Sequence, residues 1–243
     1  MSTKHSKFLT AAKRYTFLKK IYFFYNIYIR NIQFLLNGSQ FGEEKKIIKL
    51  FKENFKGVYV DLGCFHPTRS NNTYKLYKRG WKGLNIDLNP LSIELFNFAR
   101  PRDTNICDAI SSKKSKKKLY FLGDLDSKNT LDLNHKNWLS EHFNLNKKDF
   151  KTKIINTKTL GEILSKNKLF NIDFLNIDIE GHELDVLKLF NFKKFYIKVI
   201  CIELLNYNKM STAKKKQLVL LLKKNKFKLV DKSNINYIFK RIN

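Results

Sequence analysis

The chain has 243 residues, of which 43% are hydrophobic, enough for one large domain with a substantial core. A mean hydropathy of -0.41 argues against a polytopic membrane protein. A formal net charge of +27 favours acidic partners, whether nucleic acid, anionic lipid or a phosphorylated substrate.

Residues 8–36 read as one aromatic-rich helix carrying Tyr15, Phe17, Tyr22, Phe23, Phe24, Tyr25, Tyr28 and Phe34. Its longest uncharged stretch, 21–29, is nine residues, well short of the roughly 20 a spanning helix needs. Two roles are open to it. It packs on the main domain or a partner copy, the commoner fate of such helices, or it lies on an anionic membrane surface. Residues 1–42 are therefore set apart as a helical extension of a domain over 43–243. Asn37-Gly38-Ser39 breaks the helix. Residues 43–55 follow as an amphipathic helix with Ile47, Ile48, Leu50 and Phe51 on its apolar side.

From Gly57 strands and helices alternate. Strands are predicted over 58–62, 83–87 and 104–110. Helices fall over 71–79 and 90–99, the second with Pro90 in its first turn. Residues 111–118 read as a Lys/Ser-rich surface turn, and 119–122 and 153–157 as added strands. The polar stretch between them, 123–150, reads as an irregular substrate loop or lid. Then come a helix over 159–167, a strand over 172–177, a helix over 182–190, a strand over 197–204 and a helix over 211–225. Two final strands, 227–230 and 237–239, close the chain. This rhythm predicts an α/β domain with a mostly parallel sheet and an antiparallel hairpin at one edge.

Two compositional features limit the partners. The basic residues are 41 Lys to 7 Arg, spread over the whole chain. Sequence-specific nucleic-acid readers lean on Arg for bidentate contacts, so diffuse Lys reads as compositional bias. Cys64, Cys107 and Cys201 stand at wide spacing with no CxxC pair, each in or near an apolar run. That predicts buried free thiols in a reducing, cytoplasmic compartment. The charged start does not read as a secretory leader.

Open α/β sheets hold ligands at the carboxyl ends of their strands. Acids stand at three such ends: Asp61, just before Leu62-Gly63, then Asp87 and Asp108. Gly63 lets backbone approach a ligand closely. A single Gly, with Pro67 interrupting the expected helix, speaks against the G-x-G-x-x-G of NAD or FAD sites. Asp87, 26 residues after Asp61, suits a ribose diol. The densest cluster ends the 172–177 strand, where Asp178, Glu180, His182 and Glu183 surround Gly181.

These motifs carry a family likeness. The run His66-Pro67-Thr68-Arg69-Ser70-Asn71-Asn72-Thr73-Tyr74 is followed by Gly80-Trp81-Lys82-Gly83-Leu84-Asn85-Ile86-Asp87. Arg100-Pro101-Arg102-Asp103 and Ile177-Asp178-Ile179-Glu180-Gly181-His182-Glu183 come next. Together they resemble the FkbM family of S-adenosylmethionine-dependent methyltransferases over residues 57–205. Asn71 stands where many members have Ser, and it can still donate and accept. The resemblance implies a Rossmann-like class I methyltransferase fold, a seven-stranded sheet with its last strand antiparallel. It also implies S-adenosylmethionine as cofactor and methyl transfer to oxygen, often on sugars or polyketide-type hydroxyls. By the same likeness Asp61 and Gly63 shape the methionine end of the cofactor, and Asn72 and Thr73 join the cofactor-binding set. Asp87 binds the ribose, and Asp108 lies near the adenine. Asp178 is counted with the cofactor and, together with Glu180, faces the methyl group and the acceptor hydroxyl.

A hydroxyl acceptor needs a base. The candidates are His182, His66, Asp178 and Glu180. A helix start at His182 favours neutral imidazole. Asp178 and Glu180, two apart along a strand, share a side. No metal site is assigned, because Asp178, Glu180 and Glu203 lack a diagnostic spacing. The expected reaction is O-methylation of a small-molecule or glycan acceptor. The alternatives are an RNA-directed methyltransferase and a non-catalytic, membrane-attached basic module. Sequence-specific nucleic-acid binding is not expected, and peripheral contact with an anionic membrane is kept open.

Overall fold

The computed structural model describes residues 16–37, 39, 42–205 and 208–242. It begins with α1 (Thr16–Phe24), a π-helical turn (Tyr25–Arg30), α2 (Ile32–Asn37) and α3 (Glu43–Lys49). The first half of the domain adds β1 (Val58–Leu62), α4 (Tyr74–Lys78), β2 (Lys82–Asp87), α5 (Pro90–Ala99) and β3 (Thr104–Cys107). An insertion follows, with β4 (Ala109–Ile110), β5 (Ser115–Phe121), α6 (Leu133–His142) and β6 (Lys151–Lys158). The second half holds α7 (Leu160–Lys166), β7 (Asn171–Ile177), α8 (Glu183–Leu187) and β8 (Tyr196–Glu203). It ends with α9 (Lys209–Lys224), β9 (Phe227–Ser233) and β10 (Asn236–Arg241).

The main sheet has seven strands in the order β3-β2-β1-β7-β8-β10-β9. Its first five strands are parallel, and β10 runs antiparallel to both neighbours, as the terminal hairpin predicts. Near-continuous apolar runs suit β1, β7 and β8, which are covered on both faces. Alternate side chains divide between two cores. Val60, Leu175 and Ile200 pack with Leu164, Leu187 and Leu222 of the helices on one face. Tyr59, Phe174 and Val199 pack with Ile47, Leu76 and Trp81 on the other.

Several elements depart from their sequence reading, each for a tertiary reason. The helix expected over 43–55 stops at Lys49. Beyond it Phe51 and Phe55 turn to pack edge-on against Trp81, and the Trp81 indole donates to the Phe55 carbonyl at 2.8 Å. The helix expected over 71–79 begins only at Tyr74, because Asn71 and Thr73 spend their groups on tertiary hydrogen bonds. The strand expected over 104–110 divides at Asp108: β3 stays in the main sheet, and β4 joins β6 and β5 in a separate three-stranded sheet. The second half of the expected surface turn over 111–118 is strand, since β5 starts at Ser115 and pairs antiparallel with β6. The stretch 123–150 is not wholly irregular. It holds α6, capped by Asp132, whose side chain accepts from the His135 amide at 2.8 Å. Cys107 is exposed, contrary to the expectation for all three thiols, because β3 is the sheet's edge strand; Cys64 and Cys201 are buried.

Residues 8–15 of the predicted N-terminal helix lie outside the described residues. From Thr16 one face packs on the domain: Tyr22, Phe23 and Ile27 meet Leu91 and Leu95 of α5 and Leu125 of the insertion. The π turn, whose hydrogen bonds span five residues, absorbs one extra residue. Tyr22/Phe23, Asn26/Ile27 and Asn31 thereby all point inward. Asn31 Nδ2 donates back to the Asn26 carbonyl at 2.6 Å.

The sheet brings β1 and β7 together so closely at their carboxyl ends that Gly63 has no room for a side chain. Gly63 has φ +72°, and a Cβ there would lie 1.7 Å from the Asp178 carbonyl oxygen. Gly63→Ala should therefore cost more than about 4 kcal/mol, read by denaturant unfolding. A variant unfolding at the wild-type midpoint would show that the β1–β7 junction yields.

Candidate active site

A cavity of about 370 Å³ opens where β1, β2, β7 and β8 end, roofed by residues of the 123–150 insertion. Asp61, Gly63, Asn72, Asp87, Asp108, Asp178, Glu180 and His182, all expected from the sequence, reach its wall. Thr73 and His66 are not among the lining residues.

Asp61 anchors the floor. Its carboxylate accepts from Asn176 Nδ2 at 2.8 Å, Thr73 Oγ1 at 2.8 Å and Asn71 Nδ2 at 3.2 Å. Three donors suit an ionised acceptor. Burial pushes its carboxyl upward, against the pull of those donors and of Arg100. Arg100 is fully buried and lies behind the same residues. It donates to Thr73 Oγ1 and Asn71 Oδ1, each at 2.8 Å, to the Tyr59 hydroxyl at 3.1 Å and to the Pro67 carbonyl. Its guanidinium also faces the Phe96 ring at 4.8 Å. Asn71 and Thr73 thus bridge a buried anion and a buried cation that do not touch. Asn72 lies one step nearer the cavity and donates to Asn176 at 3.1 Å.

Asp87 is set by backbone. Its two oxygens accept from the Phe65 amide at 2.8 Å and the Asn89 amide at 2.7 Å. Each oxygen keeps a lone pair for a ligand hydroxyl. Burial raises its pKa to about 6. Asp108 also borders the cavity and pairs with Lys158 at 2.7 Å.

The far end is dense in acid. Asp178 and Glu180 both face the cavity, yet not by strand alternation, since β7 ends at Ile177. Glu180 instead sits in a left-handed turn at φ +56°, followed by Gly181 at φ +89°. That turn is clamped: Thr130 donates to the Glu180 carbonyl at 2.8 Å and Lys214 to the Gly181 carbonyl at 3.2 Å. Glu183 accepts from the Ile179 and Gly181 amides at 3.2 and 3.0 Å. Burial, with Glu183 next, raises the Glu180 carboxyl to about 8. Burial and the neighbouring acids likewise push Asp178 and Glu203 well up. Oε2 of Glu203 is buried with no hydrogen-bond partner.

His135 escaped sequence reading. It lies in α6, in a stretch without apolar periodicity, and its Nε2 stands 2.8 Å from Glu180 Oε2. Burial lowers its pKa to about 4, so the imidazole is neutral and brings no positive charge to Glu180. A Cβ on Gly181 would lie 3.0 Å from that of His135, so only glycine allows this approach without displacement. The one sequence signal was the Asp132 cap three residues earlier.

His182 occupies the N-cap of α8, with Nε2 3.1 Å from Ser111 Oγ and Nδ1 3.2 Å from Asp185. Asp185 is held well below the usual carboxylate range by His182 and Lys188. His66 is buried away from the lining, and both its nitrogens are engaged. Nδ1 accepts from the Arg69 and Thr68 amides at 2.9 and 3.2 Å, and Nε2 meets Asn26 Oδ1 at 2.9 Å. Burial, then Arg69, lowers its pKa to about 3. These contacts make His66 a latch between its loop and the N-terminal helix. Among the described residues no cluster of three or more His, Cys, Asp or Glu is arranged to hold a metal ion.

Raised carboxyls and an orphaned carboxylate oxygen, with no Lys or Arg pairing Asp178, Glu180 or Glu203 among the described residues, fit a ligand bearing positive charge. A phosphate-bearing dinucleotide would be repelled. The sulfonium and ammonium of S-adenosylmethionine would meet this requirement, and the two Asp87 oxygens would suit its ribose.

The strand order and the acid-lined cavity at the strand ends define a Rossmann-like α/β protein with its site at the switch of the sheet. The sequence model described as Methyltransferase FkbM domain matches residues 56–229, and the chain belongs to the FkbM methyltransferase family. Comparison with curated proteins gives no match. Among solved structures, FkbM methyltransferase from Methylobacillus flagellatus KT aligns at 12% identity and TM-score 0.46. The alignment covers 96% of this chain and 57% of that one. A Clostridium thermocellum protein assigned as an rRNA-methylase aligns at 13% identity and TM-score 0.44, covering 84% and 98%. The Methanococcus jannaschii fibrillarin pre-rRNA processing protein aligns at 14% and 0.37, covering 86% and 72%. Likeness at this level says nothing of substrate.

A carboxyl whose folded pKa stands above its unfolded value binds its proton more tightly when folded, so stability falls as pH rises through the gap. For Glu180 the gap runs from about 4.3 in the unfolded chain to about 8. The buried imidazoles act oppositely: their contribution is lost as pH falls from about 6.5 toward about 4 for His135 and about 3 for His66. Above about pH 6.5 only the carboxyl effect remains. Thermal unfolding should show Tm declining from pH 6.5 to 8, with a shallower decline in Glu180→Gln. Identical slopes in the two proteins would mean that Glu180 titrates as an ordinary carboxyl.

Proposed function

We propose that the protein transfers the methyl group of S-adenosylmethionine to a hydroxyl of a sugar or glycoconjugate. The observation that carries this reading is Glu180 on the wall of an acid-lined cavity, with the buried His135 ring 2.8 Å behind it. The sulfonium supplies an activated methyl group, so what the chain must add is alignment and a proton acceptor. Asp87 offers two oxygens held by backbone amides to a ribose diol. Asp178 and Glu203 hold positive charge at the far end. Glu180 ionises when a cation shares the cavity, and its carboxylate then accepts the proton of the acceptor hydroxyl. His135, buried and neutral 2.8 Å away, limits where that carboxylate can turn. His182, held between Ser111 and Asp185, is the second candidate base.

The first test is incubation with methyl-labelled S-adenosylmethionine and a panel of glycans. Glu180→Gln should lower turnover by about 10²–10⁴, a larger effect than its loss of cofactor affinity. Full turnover would remove Glu180 from the chemistry and shift attention to His182. Asp87→Ala should weaken cofactor binding by roughly 1.5–3 kcal/mol in calorimetry.

The same calorimetry examines the charge argument. S-adenosylmethionine binding near pH 7 should release protons, seen as a buffer-dependent enthalpy, and the neutral thioether product should release fewer. Equal release by both would sink the idea that positive charge ionises the cavity acids.

Diffuse Lys supports only weak, sequence-blind attraction to RNA. RNA binding should collapse steeply between low and physiological salt, and a tight complex with one sequence at physiological salt would favour an RNA acceptor.

A further inference from the structure

Among the described residues, nothing covers the second face of the N-terminal helix. Phe17, Ile21, Phe24, Tyr25, Ile29 and Ile32 are between 41% and 73% exposed. They follow the spacing of one stripe, and the π turn that keeps Asn26 and Ile27 inward also carries Ile29 into line with Phe24 and Tyr25. Scattered exposed apolar residues need no explanation, but a contiguous row of this size marks an interaction surface. Lys20 and Arg30 are exposed on either flank of the stripe.

The charge of this region selects the partner. Residues 1–42 contain seven basic residues and no Asp or Glu. A second copy docked through the same stripe would bring two such segments together, like charge against like. A nucleic acid would meet the charges but leave the apolar row unburied. An anionic lipid surface satisfies both, taking the side chains into the headgroup–acyl boundary and the Lys and Arg at the phosphates. No helix among the described residues is long and apolar enough to cross a membrane, so the geometry is that of a helix lying in the interface. We infer that the outer face of the 16–32 helix docks the protein onto an anionic membrane surface.

The inner face of the same helix decides what docking presents. Ile27 and Tyr22 hold Leu125, which precedes Asp126 of the cavity wall, and Asn26 holds His66, which follows Phe65 of that wall. A helix seated in the interface therefore keeps the cavity loops beside the bilayer. Docking does not depend on the reaction proposed above, and its failure would leave that proposal standing.

The test is flotation of the full chain with phosphatidylcholine vesicles and with vesicles containing phosphatidylglycerol, at low and at high salt. Net charge alone gives binding that high salt abolishes. The inference expects binding to the anionic vesicles only, with a fraction that survives high salt. Phe24→Ser with Ile29→Ser should lower anionic-vesicle partition by about tenfold or more, since two buried apolar side chains are lost. Because both positions are exposed, circular dichroism and Tm should stay at wild-type values. Equal partition of variant and wild type, complete loss in high salt, or no flotation would overturn the inference. So would light scattering that finds a dimer which the double variant converts to monomer, since the stripe would then be a contact between copies.

Discussion

A buried cation and a buried anion, kept apart by two small polar side chains, organise the rest of this molecule. Arg100 and Asp61 never touch. Thr73 donates to one and accepts from the other, and Asn71 does the same through its two amide atoms. Leaving either charge unpaired in the interior would cost about 3–5 kcal/mol. The network is therefore formed whole or not at all. What it holds is the 65–73 loop, which carries the Phe65 amide to Asp87, the Asn72 side chain to Asn176 and the His66 ring to the N-terminal helix. The cavity floor, one wall and the placement of α1 all follow from that loop.

The protein separates its charges by depth. Its surface is strongly basic, while the cavity gathers Asp61, Asp87, Asp178, Glu180 and Glu203 at the carboxyl ends of the strands. Burial and mutual repulsion raise these carboxyls together. Acids held in that state favour a positively charged ligand, because its arrival lets them ionise. The long-range field of the surface acts on different partners from those the cavity selects.

The insertion between the two halves of the sheet completes the site. It contributes Thr130, Asp132 and His135, and Lys214 of α9 ties Asp132 to the Gly181 carbonyl. The Glu180–Gly181 turn, with two consecutive left-handed residues, is held by contacts from outside its own element. Strain at a cavity wall, fixed by a separately folded segment, is how a loop can keep a carboxyl aimed without a strand beneath it.

The alternation of apolar runs with helical stretches determined the α/β sheet and its edge hairpin, because those patterns record local periodicity and burial on one or both faces. The acids at strand ends were legible for the same reason: a strand end is a sequence-local event. Elements ended elsewhere than their propensities suggest where distant groups competed for them, as Trp81 does for Phe51 and Phe55. The neutral His135 behind Glu180, the full engagement of His66, the bridging role of Thr73 and Asn71 and the exposure of Cys107 were decided only in three dimensions. Each depends on which residues, tens of positions away, remove water or supply a partner. Amino-acid order determines which groups can ionise or donate, and tertiary burial decides which of them do.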